Sequence, residues 1–221
     1  MIWDWDFALR IIPDILRGLG TTVIATFFGS LLALAVGLVI ALANRSDVTA
    51  VRRSSRGFAE FIRRTPLLVQ LYFIYFVLPQ AGVVLPPLLC GVIALGLHTG
   101  AYLSEVYRAG IDGVPRGQWE AARALNYQQG QTWLKIILPQ AIPPMIPAIG
   151  NYIILMFKDS ALLSIIAVPE LMSMSRNIGN DSYRYLEPLT IAAILYLLLS
   201  GIAVLLLRII ESRSGMARLT G

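Results

Sequence analysis

From Val23 to Ala43 the chain runs for 21 residues without an ionisable side chain. At roughly 1.5 Å per residue such a helix crosses a hydrocarbon core ~30 Å thick. Four further apolar runs follow, each bounded by Pro, Gly or clustered charge. The pattern predicts five membrane helices at approximately 20–43, 66–82, 86–108, 140–162 and 188–209. Ahead of them, residues 4–19 set Phe7, Ile11, Ile12, Ile15 and Leu16 against Asp6, Arg10, Asp14 and Arg17, an amphipathic lead-in lying on the membrane surface. The expected fold is all-α and integral to the membrane. Its division is an outer N-terminal segment 1–19, one transmembrane domain 20–209 with a cytoplasmic loop 109–139, and a tail 210–221. The sequence shows no internal repeat.

Composition agrees with a bilayer as solvent: 57% of the 221 residues are hydrophobic, 14% are charged, and the mean hydropathy is +0.69. Asp4 and Asp6 stand where a secretory signal carries basic residues, so the N-terminus is expected to be retained. A net charge of +5 would suggest nucleic acid in a soluble protein, but the basic residues divide by loop. Arg45, Arg52, Arg53, Arg56, Arg63 and Arg64 lie between the first two spans, a segment the positive-inside rule assigns to the cytoplasm. Alternation then puts Arg108, Arg116, Arg123, Lys135, Arg208, Arg213 and Arg218 on the same side. Arg10, Arg17, Arg176 and Arg184 fall outside, and Lys158 lies within a span. The N-terminus is thus expected outside and the C-terminus inside, a division that six spans would spoil. Partners are then membrane lipid rather than nucleic acid. A lone cysteine, Cys90, and a lone histidine, His98, exclude an intrachain disulfide and a zinc site.

The loop GVPRGQWEAARALNYQQGQTWLKIILPQAIPP, 113–144, reads as structured. Pro115 can open a helix without losing a needed N–H, and Ala121, Ala122 and Ala124 favour one over 118–125. Asn126 tolerates the left-handed turn that ends it, and a second short helix is expected over 129–137 before Pro139 and the next span. Glu120, Ala121, Ala122, Asn126 and the run Ile137, Leu138, Pro139 resemble the EAA loop of permeases in ATP-binding-cassette importers. AYLSEVYRAGIDGVPRGQ (101–118) and RRTPLLVQLYFIYFVLP (63–79) resemble the polar-amino-acid branch of its type I members. The family carries Gly where Asn126 stands. A weaker likeness, in the WDW start and Asn126, is to permeases for ectoine and hydroxyectoine.

The resemblance implies that Gly117, Glu120, Ala121, Ala122, Arg123 and Asn126 form the contact with an ABC ATPase dimer. It also implies a second permease subunit, identical or homologous, and an extracytoplasmic solute-binding protein. The chain itself binds no cofactor: it lacks a GxxxxGK[ST] phosphate loop, so ATP and Mg belong to the partner ATPase. A polar zwitterion crossing hydrocarbon needs donors and acceptors held within protein. Lys158 and Asp159 in span four, Gln70 with Tyr72 and Tyr75 in span two, and His98 with Tyr102 in span three are the candidates. Each has a structural alternative: an ion pair at a subunit interface or a snorkelling lysine for Lys158 and Asp159, an interhelical hydrogen bond for His98. Glu105 is read as a partner of Arg108. Pro143, Pro144 and Pro147 are expected to kink or loosen the start of span four. The competing classes are a passive channel and an intramembrane enzyme built on Ser104 with Glu105 or Lys158 with Asp159. Neither accounts for the loop.

Overall fold

The computed structural model describes residues 2–213, and every regular element among them is helical. Helix α1, Trp5–Ala43, opens on Asp4, whose carboxylate accepts the Phe7 N–H at 3.0 Å. It runs 39 residues without interruption, so the amphipathic segment is its first turns rather than a separate piece. A Cβ on Gly18 would lie 2.9 Å from the Glu170 backbone and 2.8 Å from Met174 Cγ, so Gly18 lets another element approach.

Helix α2, Thr49–Arg64, ends at Thr65, which Pro66 pushes into extended backbone (φ −103°, ψ 136°). The chain then turns by 105° into Leu67–Ala81, formed by α3 (Leu67–Tyr72), a π-turn (Phe73–Val77) and a 3₁₀ turn (Leu78–Ala81). Gly82, at φ 84°, closes it. Helix α4, Pro87–Asp112, packs along α1 through small residues. A Cβ on Gly37 would meet the Gly100 carbonyl oxygen at 2.9 Å, and one on Gly96 would meet Leu32 at 2.6 Å. With no hydrophobic drive between helices in lipid, such close backbone contact is what holds them together. Ala25, Ala33, Leu95, Leu103, Met156 and Leu163 fill the core around this seam.

Helix α5, Arg116–Ala124, is the expected surface helix. The second short helix and the fourth span are instead one body over Gln129–Ile166: α6 (Gln129–Thr132), a π-turn (Trp133–Ile137), α7 (Leu138–Asp159) and a 3₁₀ segment (Ser160–Ile166). It continues through Pro143, Pro144 and Pro147, and the looser turn lies earlier, in the π-turn. Helix α8, Leu171–Ser182, fills the expected outer loop, and α9, Leu186–Arg213, is the last span. Almost none of α9 is buried, which leaves its surface to lipid or another subunit. Among the described residues four helices are long and apolar enough to cross a membrane, five where the bent pair of α2 with Leu67–Ala81 counts as one span. Of the expected tail 210–221, residues up to 213 continue α9, and 214–221 lie outside the described residues.

Candidate functional site

At the end of the bundle where α1 and α4 terminate, α5 is built to keep one position. Trp119 meets Trp133 edge-to-face, with ring centroids 5.2 Å apart, over a cluster of Ile111, Val114, Ile137, Ala141 and Met145. Ala122 is wholly buried against its own chain. The helix ends in a complete Schellman turn: Tyr127 N–H donates to the Ala122 carbonyl and Asn126 N–H to that of Arg123, each at 3.0 Å, with Asn126 at φ 54°. Gln128 and Gln131 then cap α6 reciprocally.

Among the described residues the outer face of α5 has no partner. Gly117, Glu120, Ala121 and Arg123 are exposed, and a Cβ on Gly117 would meet nothing within 4 Å, so no internal contact requires that glycine. Beside them Leu125 is 70% exposed and Leu134 69%. Of the six residues expected in this loop site, five lie on the open side or at the turn, and Ala122 seats the helix.

An ion-paired chain leads inward from this seat. Arg45 stacks over Trp133, 5.9 Å from the ring, and binds Asp112 at 2.9 Å. Asp112 and Glu105 bracket Arg108, at 3.5 and 2.7 Å, and Glu105 also pairs with Arg63 at 3.2 Å. These groups line a cavity of about 630 Å³ with Asn44, Arg56 and Glu60. The Glu105–Arg108 pair is as the sequence reading has it. Its extension to Arg63 and Arg45 was not legible, because they come from α2 and from the turn after α1.

Arg63 joins this chain to the next group. Its backbone carbonyl accepts from the Tyr102 hydroxyl at 3.2 Å, and its guanidinium donates to the Ala101 carbonyl at 3.1 Å. Tyr102 stacks on Tyr152 and lies beside His98, whose Nδ1 is 3.3 Å from the Gln70 amide oxygen. The Gln70 amide nitrogen donates to the carbonyls of Ile62 (2.8 Å) and Thr65 (3.0 Å), neither of which receives an N–H from four residues on because of the break at Pro66. Gln70, His98 and Tyr102 therefore form one network around the α2–α3 bend. Lys158 and Asp159 are not part of it: they sit at the far end of α7, exposed and half-buried, with no ion pair to either among the described residues. Tyr72 and Tyr75 line the same segment as Gln70 and both contact Phe76, Tyr72 at a tilt and Tyr75 edge-to-face.

That far end carries two buried carboxylates that the sequence reading passed over. Glu170 caps α8, accepting N–H groups of Met172 (2.8 Å) and Ser173 (2.6 Å) and the Tyr196 hydroxyl (2.8 Å). Burial pushes its pKa above the ordinary carboxylate value, against the pull of these donors. Glu187 accepts the Asp4 N–H at 3.0 Å and pairs with Arg184, which also reaches the Ile2 carbonyl at 3.0 Å. The start of α1 is thereby tied to the α8–α9 turn. The available signal was an acid following a proline, Pro169–Glu170, and another, Glu187, opening an apolar run.

Residues 33–215 match the family described as binding-protein-dependent transport system inner membrane component. The probable amino-acid ABC transporter permease protein y4tG of Sinorhizobium fredii is 42% identical over 216 residues, covering 95% of this chain and 94% of that protein. The arginine transport system permease protein ArtQ of Bacillus subtilis is 36% identical, covering 89% of this chain and 90% of that protein. A crystal structure of an amino acid ABC transporter with histidines superposes with a TM-score of 0.90 at 37% identity, covering 96% of this chain and all of that one. The chain thus belongs to the binding-protein-dependent inner membrane components, as a multi-pass permease subunit of the ATP-binding-cassette importers of the cytoplasmic membrane, a transport subunit rather than an enzyme.

Proposed function

We propose that this permease carries a polar amino acid inward, driven by an ATPase dimer that docks on α5. Its N-terminus lies outside and its C-terminus inside. The observation that carries this reading is the pairing of a rigid seat with an unpartnered outer face on α5: Trp119 and Ala122 hold the helix, while Gly117, Glu120, Ala121 and Arg123 are left open. A glycine with free space around it suits close approach by another backbone. Glu120 supplies a charged anchor and Asn126 fixes the turn that orients the face. ATP and Mg act on the ATPase, a second permease completes the pathway, and an extracytoplasmic binding protein delivers the solute.

The solute passes the group of Gln70, His98 and Tyr102, with Lys158 and Asp159 at the outer end of the same route. Relatives named for amino acids favour that class of zwitterion. Ectoine and hydroxyectoine are the alternative cargo, which competition against labelled arginine and glutamine uptake separates. The docking role is tested by purifying the tagged chain from its membrane in mild detergent, with Glu120→Lys in parallel. The expected result is an ATPase subunit recovered with the native chain and lost from the variant at unchanged permease yield. An ATPase retained in full by Glu120→Lys and by Ala121→Arg would overturn it.

A further inference from the structure

Helix α2 divides into three stripes along its length. Ser55, Ala59 and Ile62 face the protein, and Ala59 and Ile62 are buried there. A second stripe, Val51, Phe58 and Phe61, is apolar yet 44%, 44% and 63% exposed. The third carries Arg53, Arg56 and Arg64, all exposed. Among the described residues Arg53 and Arg56 have no hydrogen-bond or ion-pair partner, and Arg64 has only Glu60 one turn away at 3.2 Å. Over Thr49–Arg64 five arginines face a single glutamate, a net charge of +4. The 105° turn at Pro66 lays α2 across the span that follows it.

From this geometry we infer that α2 is an interfacial helix that binds anionic phospholipid, with Val51, Phe58 and Phe61 sunk at the acyl boundary and Arg53, Arg56 and Arg64 engaging phosphate headgroups. An amphipathic helix in the plane of the interface buries its apolar edge while basic side chains reach the charged headgroups. Charge complementarity selects the occupant. A zwitterionic lipid would satisfy the apolar stripe alone, whereas a surplus of unpaired arginines is matched by a headgroup of net negative charge. The α2 surface is separate from the outer face of α5, and the inference does not depend on the docking role of that helix.

The test titrates the purified full-length permease, with whatever subunits co-purify, with phosphatidylglycerol and with phosphatidylcholine, counting bound lipids by native mass spectrometry. The native chain is expected to retain phosphatidylglycerol in preference to phosphatidylcholine. Each arginine removed in Arg53→Gln and Arg56→Gln should weaken that preference by about fivefold. The outer-side variant Arg10→Gln should leave it unchanged. A photoreactive phenylalanine analogue at position 61 should crosslink to lipid in native membranes. An undiminished preference in the Arg53→Gln, Arg56→Gln double variant overturns the inference, as does crosslinking from position 61 to a protein subunit alone. The arginines are exposed and unpaired, so the double variant keeps the thermal stability of the native chain and the readout is not confused with misfolding.

Discussion

Replacing Trp119 with Ala should loosen α5 without unfolding the permease. Truncating a fully buried Trp costs about 3–5 kcal/mol. Trp119 is half-buried, so about 2 kcal/mol is the appropriate figure, of which the edge-to-face pair with Trp133 accounts for about 1 kcal/mol. Apart from the small Ala122, α5 sends no other side chain fully inside, so Trp119 supplies most of what holds it. A loss of about 2 kcal/mol reduces the seated fraction relative to the unseated one by about 30-fold. Because apparent affinity scales with the competent fraction, ATPase binding should weaken by up to about 30-fold, the full factor being reached where the unseated form predominates, while exchange over 116–127 reports the loosening at any starting ratio. The assay titrates the co-purifying ATPase subunit against permease in nanodiscs, with amide hydrogen exchange over 116–127 as an independent reading. Trp119→Phe should recover most of the affinity. Unchanged affinity together with unchanged exchange in Trp119→Ala would refute the idea that α5 is seated through this residue.

Four further substitutions, at three positions, separate packing from docking and test the buried acid. Gly37→Ala should destabilise the helix pair α1–α4 by about 1–3 kcal/mol, because its Cβ would meet the Gly100 carbonyl and Leu103 Cβ, both at 2.9 Å. Gly117→Leu should leave the thermal midpoint unchanged while reducing ATPase retention, and equal midpoints for both variants would contradict the packing account. Glu170→Ala leaves two N–H groups and the Tyr196 hydroxyl without their acceptor and should cost about 3–5 kcal/mol in a detergent melt. Glu170→Gln keeps an acceptor oxygen and should cost less than about 1.5 kcal/mol. Since burial raises the pKa of Glu170, the folded chain favours its protonated form. That stability is full below the ordinary carboxylate range and is lost as pH rises through the raised value. A native chain and Glu170→Gln with parallel melting curves from acid to neutral pH would remove Glu170 as the cause.

The apolar runs and their punctuation revealed the spans because a bilayer imposes length and composition directly on sequence. Thr65–Pro66 and Gly82 bounded the second span for the same local reasons that operate in the structure. Asn126 was readable because few residues accept a positive φ at a helix end. What failed was local reasoning about features set by tertiary contact. Residues 4–19 were read as a separate lead-in and are the start of one 39-residue helix, in which Gly18 is a packing notch against Glu170 and Met174. Pro143, Pro144 and Pro147, expected to kink or loosen the start of span four, do not interrupt the helix. The candidate path residues separated for a similar cause. Gln70, His98 and Tyr102 converge through the bend at Pro66, which sequence spacing cannot show, while Lys158 and Asp159, at the end of α7, take no part in that network. Glu170 and Glu187 escaped notice because a single acid in an apolar context gives no hint that N–H groups converge on it.

The most direct test of the central claim is uptake of labelled arginine or glutamine into proteoliposomes that hold the purified complex, with ATP presented to the ATPase side and the co-occurring binding protein on the other. The account predicts accumulation above the external concentration that requires both ATP and the binding protein, and its loss with Glu120→Lys. Flux that equilibrates the solute without ATP or binding protein would identify a passive channel and contradict the account.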